Sequence, residues 1–389
     1  MSSIPLNLVF AAVQERNLRT KTACSQVVKV ENSASNSAEM TYCIEPLSDP
    51  RWDVFLSQHS RASVFHSSTW LAALSRTYGY KPVAFTTSPS GHDLKNAVVF
   101  CRVESWLTGR RLVSLPFSDH CEPLVDNEDD LRVLTSTLER EAKRERWRYI
   151  ELRPLCPLSL ETSLRDTHVT YTFHQLDLQP DLDALFRGLH KSSTQRKIRR
   201  AQREGLTYRE GRTQDLLEQF YALKKGARVK HKLPPQPLEW FSNLVVLFGD
   251  DLKIRVAYKN ELPIAAMLTI RYKDTLVYKY GGSDPRFNNL GGMHLLFWNA
   301  IQDAKSNGLR FFDLGRTDEH QHGLINFKSR WGTTQSALVY KRYGFFQKAS
   351  HAFDLPSSKK KTNMAKYVLS HLHPSMLSLI GRILYRHVG

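Results

Sequence analysis

Apolar residues recur along this chain in two rhythms, one helical and one strand-like, and their alternation outlines the fold. In "SVFHSSTWLAALSRTYGY", Trp70, Leu71, Leu74 and Tyr78 share one helical face. Ser67 or Ser68 is placed to cap the first turn and Gly79 to close the last. "KPVAFTT", "NAVVFCRVE" and "RLVSLPF" then read as strands, separated by the turn chemistry of "SPSGHD" and "LTGRR". "DDLRVLTSTLEREAKRERW" predicts a helix opened by acids and ended by bases, as the macrodipole favours. "RYIELRP" and "VTYTFHQLDL" predict two more strands, completing a unit over residues 42–178.

The second half repeats the theme. "DLDALFRGLHKSSTQRKIRRAQREG" predicts a helix broken near Lys191–Thr194, "TQDLLEQFYALKKGAR" a second helix, and "PPQPLEWFSNLVVLF" a third that opens on proline. Three consecutive strands follow in "LKIRVAYKN", "ELPIAAMLTIRYKD" and "TLVYKYGGSD", joined by two tight turns. "NLGGMHLLFWNAIQDAKSNG" predicts a helix entered through Gly-Gly, and "LRFFDLG" and "SALVYKRYG" the closing strands. A meander feeding a helix and then a further strand is an α+β, mixed-sheet unit and not a doubly wound one. The halves share coarse order without a sequence repeat, and predict two related domains over 42–178 and 179–350.

The ends differ in character. Residues 1–40 include a Ser/Asn-rich stretch without sustained pattern and are expected to be a disordered leader. The tail, 351–389, begins with a lysine run and sets Leu377, Ile380 and Leu384 at helical spacing between Arg382 and Arg386. Such a basic amphipathic helix suits an anionic membrane surface or the surface of its own domain. No apolar run is long enough to cross a bilayer, and no basic region precedes the weak apolar patch at the start. The expected location is cytoplasmic, and a tail lying on the membrane would add peripheral contact at the inner face of the plasma membrane.

Charge narrows the partners. A formal net charge of +17 and a pI of about 9.7 favour nucleic acid, phosphorylated ligands or an anionic membrane. The 5 cysteines form no C-x-x-C pair, which argues against a disulfide framework or a structural zinc site and suits a reducing compartment.

Four stretches carry candidate chemistry. In "YGGSDPRFNNLGGMHLL" a strand passes Gly281-Gly282, Asp284 and Arg286 and enters a helix at Gly291-Gly292, where free N–H groups can meet a phosphate. The glycine spacing fits neither a P-loop nor a dinucleotide fingerprint, and the same glycines serve a plain strand-to-helix turn. "LPFSDHCEPLV" sets Asp119, His120, Cys121 and Glu122 at a strand end, where a carboxylate can take an amine's proton or bind a sugar, or simply shape a turn. "QRKIRRAQR" buries Ile198 and Ala201 and turns its bases outward, either toward phosphates of a nucleotide-sugar, a lipid pyrophosphate or tRNA, or toward solvent. In "FDLGRTDEHQHGLINFKSRWG", Arg316 ends a strand and Lys328 sits on a short helix, both able to reach one cleft. Asp318, Glu319, His320 and His322 lie between them; a base role there is open, and no metal is expected because no third distant ligand set stands out.

Taken in order, "VFHSSTWLAALSRTYGYKP", "LPFSDHCEPLV", "RKIRRAQREGLTYRE", "RVKHKLPPQP", "YGGSDPRFNNLGGMHLLFWNAI" and "FDLGRTDEHQHGLINFKSRWG" resemble the blocks of the FemAB-like (CelD-like) acyltransferases of the GNAT superfamily, over about residues 42–389. The tail is similar to that of members linked to exopolysaccharide and exosortase systems. The resemblance implies two tandem GNAT-like domains with a C-terminal helical tail, and N-acyl transfer to an amine of a cell-envelope or exopolysaccharide precursor. The acceptor would be a phosphorylated, nucleotide-linked or lipid-linked sugar. It implies that Lys328, beside Phe327, lines the acyl-transfer site, and Arg316 and Asp119, from their places at strand ends, are expected as further catalytic groups. Arg228 and Lys230 would stand on a substrate-side loop, with His322 and Trp331 also on the substrate side. Arg286, Gly291 and Gly292 would hold the donor, although "RFNNLGGM" departs from the usual pyrophosphate turn of GNAT enzymes. Acyl-CoA, such as acetyl-CoA, is the expected donor, because no long heptad arm of the aminoacyl-tRNA-dependent members appears. The alternatives are a tRNA-dependent peptidoglycan-type aminoacyltransferase and a non-catalytic nucleic-acid or membrane-surface binding protein; no helix-turn-helix, zinc or RNP-type pattern supports the last.

Overall fold

The structure is a computed structural model that describes residues 40–344, apart from 106–108, 159, 161 and 231–232, together with 384–387. Each half lays down the same order. In the first, β1 (Tyr42–Ile44) is followed by α1 (Arg51–Gln58) and α2 (Ser68–Tyr78). The meander β2 (Lys81–Thr86), β3 (Val98–Ser105) and β4 (Gly109–Val113) comes next, then α3 (Glu128–Arg144) and β5 (Tyr149–Leu152). After β6 (Arg165–Asp177), α4 (Leu182–Gly188) and α5 (Arg196–Arg203) lead to the second half. There β7 (Thr207–Gly211), α6 (Gln214–Lys230) and α7 (Leu238–Phe248) precede the meander β8 (Leu252–Lys259), β9 (Leu262–Tyr272) and β10 (Thr275–Ser283). Finally come α8 (Gly292–Ser306), β11 (Phe311–Asp318), α9 (His322–Ser329) and β12 (Thr334–Gly344).

Local chemistry explains the helix ends. Ser67 Oγ accepts from the Trp70 amide at 3.1 Å, and Gly79 closes α2 in the left-handed region at φ 73°. The expected break between α4 and α5 is a π-type turn at Lys191–Gln195. Three short elements that the apolar pattern did not signal, β1, α1 and β7, complete the repeat.

The twelve strands form one sheet in the order β1-β2-β3-β4-β5-β12-β6-β11-β10-β9-β8-β7. The halves are therefore interleaved at the centre. β6 pairs with β12 on one edge and β11 on the other, and β12 in turn pairs with β5. The largest apolar cluster also runs through both halves: Trp70 of α2 meets Trp240 of α7 edge-to-face, with ring centroids 5.3 Å apart. On the opposite face α8 buries Leu296, Phe297 and Ile301 against α4 and α5, and α3 covers the first half with Leu134 and Leu138.

The leader expected over 1–40 lies outside the described residues save Met40, and the tail expected over 351–389 does so except for 384–387, a helical turn with Tyr385 buried. Among the described residues no helix is long and apolar enough to cross a membrane.

Helix α6 crosses β10 closely because Gly282 has no side chain: a Cβ there would lie 2.7 Å from the Lys224 amide nitrogen and 2.8 Å from the Leu223 carbonyl carbon. Both neighbours are backbone and cannot rotate away. Gly282→Ala is therefore expected to push α6 off the sheet and lower unfolding free energy by about 1–3 kcal/mol. Urea denaturation measures this directly, and an unchanged midpoint would mean that the helix is free to shift.

Candidate active site

Strands β10 and β11 pair in parallel over only three residues, Thr275–Val277 against Phe311–Asp313. Beyond that point they part, and β11 shifts register against β6 between Asp313 and Gly315. Gly315 adopts φ 70°, and a Cβ on it would lie 3.1 Å from Asp119 Oδ2. Glycine is thus required twice over, by conformation and by the carboxylate pressed against it.

Asp119 arrives from the other half, on the loop after β4. Its Oδ2 accepts from Lys279 Nζ at 2.7 Å, and Arg316 Nε stands 3.9 Å from its other oxygen. Tyr340 Oη on β12 donates to the Asp119 carbonyl at 2.6 Å. The Arg316 guanidinium lies over the rings of Tyr171 on β6 (4.2 Å) and Tyr340 (5.0 Å). Lys279 Nζ is faced by the rings of Phe65 (5.1 Å), Tyr280 (5.4 Å) and Trp70 (5.6 Å). Next to this pair, His120 Nε2 is 3.0 Å from Asp313 Oδ2, while Asp313 Oδ1 accepts from the Gly315 amide at 2.6 Å.

Lys328 comes from α9 and is 3% exposed. Its ammonium donates to the carbonyls of Gly315 and Arg316, each at 3.0 Å. Burial lowers it to about 8, against partial support from Asp119 and Asp313. Burial alone would raise the Asp119 carboxyl, but Lys279 and Arg316 outweigh it and hold that group below its ordinary value. Burial also lowers Lys279, which Asp119 partly restores. A fourth cation, Lys224 on α6, lies 5.1 Å from the Tyr280 ring centre and is lowered to about 7, chiefly by burial.

The three residues expected to be catalytic, Asp119, Arg316 and Lys328, thus converge. Lys279, His120, Asp313, Tyr171 and Tyr340 join them without having been singled out for a role; the signal for Lys279 was a lone lysine between two tyrosines in an otherwise apolar strand. Other expectations are corrected. Trp331 is 1% exposed and stacks on Phe297 at 5.1 Å, which puts it in the core under α8, while the half-buried Phe327 meets the same ring edge-on at 5.4 Å. His322 is exposed at the start of α9, in the same exposed stretch as Asp318, Glu319 and His320. Arg286 points outward and is held on Asp284 at 2.6 Å. Gly291 and Gly292 serve close packing: a Cβ on Gly291 would meet the Lys197 carbonyl, and one on Gly292 would meet Ala265 and Ile264 at 3.2 Å. Arg228 is half-buried and bonds the Tyr385 hydroxyl at 2.5 Å, while the side chain of Lys230 lies outside the described residues. Cys121 is buried, its thiol pushed up to about 12, which suits no nucleophile.

A basic groove lies one element over. Arg196, Lys197, Arg200 and Arg203 of α5, with Glu204 and Asn289, line a groove of about 550 Å³ beside the turn that enters α8. Among the described residues, no cluster of three or more His, Cys, Asp or Glu side chains is placed to hold a metal.

Residues 190–329 match the acetyltransferase (GNAT) domain family. The UDP-N-acetylmuramoylpentapeptide-lysine N(6)-alanyltransferase of Weissella viridescens is 26% identical over 128 residues, 33% of this chain and 38% of that protein, so the match spans well under half of the relative's length. Among solved structures, FemX aligns with a TM-score of 0.58 at 14% identity, covering 75% of this chain and 94% of its own. A tandem GNAT protein from the clavulanic acid biosynthesis pathway aligns with a TM-score of 0.50 at 9% identity, covering 79% and 99%. The fold is a tandem GNAT fold, with its two repeats sharing one sheet.

The depressed Lys328 ammonium has a consequence for stability. Its folded value, about 8, lies below the ordinary 10.5, so between those pH values the unfolded chain binds a proton that the folded chain does not. The penalty is fully present below pH 8 and is relieved as pH rises toward 10.5. The unfolding free energy of the protein minus that of Lys328→Met should climb across this window by on the order of 3 kcal/mol. A flat difference in denaturant titrations from pH 7 to 10.5 would refute a strained ammonium.

Proposed function

We propose that this FemAB-like member of the GNAT superfamily is an N-acyltransferase that moves an acyl group from acyl-CoA to an amine of a phosphorylated or carrier-linked envelope sugar. The observation that carries this reading is the convergence, where β10 and β11 part, of Asp119 from one half with Lys279, Arg316 and Lys328 from the other. A buried assembly of paired and half-paired cations is costly to fold and suits a reaction that develops negative charge.

In this reading the basic groove along α5 takes the donor's phosphates, and the gap between β10 and β11 leads the thioester inward. The acceptor amine, once neutral, attacks the thioester carbonyl. A C–N bond forms, the C–S bond breaks, and the departing thiolate takes up the proton that the amine loses. Lys328 spends two of its N–H bonds on Gly315 and Arg316, leaving the third to meet the oxyanion. Arg316, lying over the paired rings of Tyr171 and Tyr340 and only loosely paired with Asp119, holds an anionic group of the acceptor.

A second reading has its own support. The relative in Weissella viridescens is named an alanyltransferase, which favours an aminoacyl group as the one transferred; were its carrier tRNA, the α5 groove would take the nucleic-acid backbone.

Two variants separate these roles. Lys328→Met is expected to cut turnover at least about 100-fold while leaving coenzyme A affinity within about twofold. Arg200→Glu with Arg203→Glu should weaken coenzyme A binding and leave the saturated rate largely intact. Thiol release from acetyl-CoA with glucosamine phosphates as acceptors, paired with calorimetric titration of coenzyme A, reads both. Normal turnover by Lys328→Met would remove its assignment, and transfer from alanyl-tRNA but from no acyl-CoA would install the second reading.

A further inference from the structure

The helical turn at 384–387 is seated between the halves, next to the charged cluster. Tyr385 is 6% exposed, and its ring lies 5.6 Å from Phe117, two residues before Asp119. Phe117 in turn touches Trp240 at 5.8 Å, and Trp240 Nε1 donates at 2.9 Å to the hydroxyl of Tyr280, the neighbour of Lys279. The seat therefore shares its walls with the proposed reaction centre.

Among the described residues its hydrogen bonds run mostly from the seat to the turn. Arg228 Nη2 donates to the Tyr385 hydroxyl at 2.5 Å, Tyr80 Oη to the Tyr385 carbonyl at 2.7 Å, and Arg111 Nη2 to the His387 carbonyl at 2.7 Å. The Pro234 carbonyl accepts from the Tyr385 hydroxyl at 3.0 Å. Flat aromatic faces, two guanidinium groups, a phenol and the Pro234 carbonyl suit a ring that carries hydroxyls and a phosphate. A turn supplies those oxygens only approximately, through one phenol and two carbonyl groups.

We propose that the seat of Tyr385 is the sugar-ring subsite of the acceptor, and that the chain's own turn at 384–387 occupies it as an internal competitor. The proposal rests on the sugar-acceptor reading above. Acceptor binding then requires the turn to withdraw, and the apparent dissociation constant is the intrinsic one divided by the fraction of molecules with the seat free. Weakening the turn's hold raises that fraction and tightens acceptor binding without altering the donor groove.

The test titrates glucosamine 1-phosphate into the full chain and into Tyr385→Ala, with inorganic phosphate and glucose as comparison probes and coenzyme A in parallel. Tyr385→Ala is expected to bind glucosamine 1-phosphate roughly tenfold more tightly, with coenzyme A affinity unchanged. Adding Arg228→Met to Tyr385→Ala should abolish the gain. In the unaltered protein, amide hydrogen exchange at 384–387 should accelerate when glucosamine 1-phosphate is added, a readout that needs no variant. Equal affinities in the two proteins, no binding in either, or unchanged exchange would overturn the proposal. An equal gain for inorganic phosphate would overturn it too, reassigning the seat to a simple anion. Failure of coenzyme A to bind strikes the donor reading alone and leaves the sugar-phosphate comparison intact.

Discussion

Strands β6 and β12 run side by side through eleven registered pairs, from Thr334 opposite Gln175 to Gly344 opposite Arg165, and the site hangs on that seam. An antiparallel ladder of this length fixes register, because a slip of one residue would turn every side chain to the wrong face. Register places Tyr171 of β6 and Tyr340 of β12 with ring centroids 4.7 Å apart, and Arg316 settles over both rings. Tyr340 then bonds the carbonyl of Asp119, which ties a loop of the first half to a strand near the end of the second. Two GNAT-like sheets merely abutting at an edge would give neither contact.

Behind the seam a second set of charges holds the same loop. Glu151 on β5 lies between Arg153 (2.7 Å) and Arg342 of β12 (2.5 Å), and all three are buried. Arg153 spends its remaining donors on the carbonyls of Leu115 (2.5 Å) and Ser118 (3.1 Å), just before Asp119. Such an arrangement is a poor source of stability, since each ion loses several kcal/mol of hydration on burial, and an apolar replacement often does as well. Its value is positional. A loop clamped at two carbonyls by the Arg153 guanidinium is held in place, so the Asp119 carboxylate stays in contact with Lys279 and within reach of Arg316.

What the sequence made legible was local, and what it hid was pairing. Helical and alternating periodicity located most elements, because burial of one face leaves its imprint on neighbouring residues. The interleaving left no such imprint: β6 reads as a strand whether its partners lie ten residues away or a hundred and seventy. The same limit governed the site. Lys328, Arg316 and Asp119 were visible through motif resemblance, whereas Lys279 sits in a strand whose direction toward Asp119 depends on the assembled sheet. Aromatic residues near a motif misled in the opposite sense. Phe327 and Trp331 flank the lysine in sequence, yet a helix turns neighbours to different faces, and these two point into the cluster around Phe297. Gly291 and Gly292 likewise looked like space left for a ligand, when the space belongs to the Lys197 carbonyl and to β9.

The geometry of Lys328 bears on why a lysine stands there at all. An ammonium tied to two carbonyl groups has lost most of its freedom, so its third N–H points in one direction before any substrate arrives. Burial lowers its affinity for a proton to about 8, yet at neutral pH the group still carries most of its charge. A charged donor that holds its proton less firmly than usual bonds a developing oxyanion more strongly than an ordinary surface lysine would, and the dry surroundings magnify the difference. A guanidinium would keep its charge but spread it over a fork too wide for a position that is 3% exposed. The strain that burial imposes on the ammonium and the readiness of that group to meet negative charge have the same physical origin.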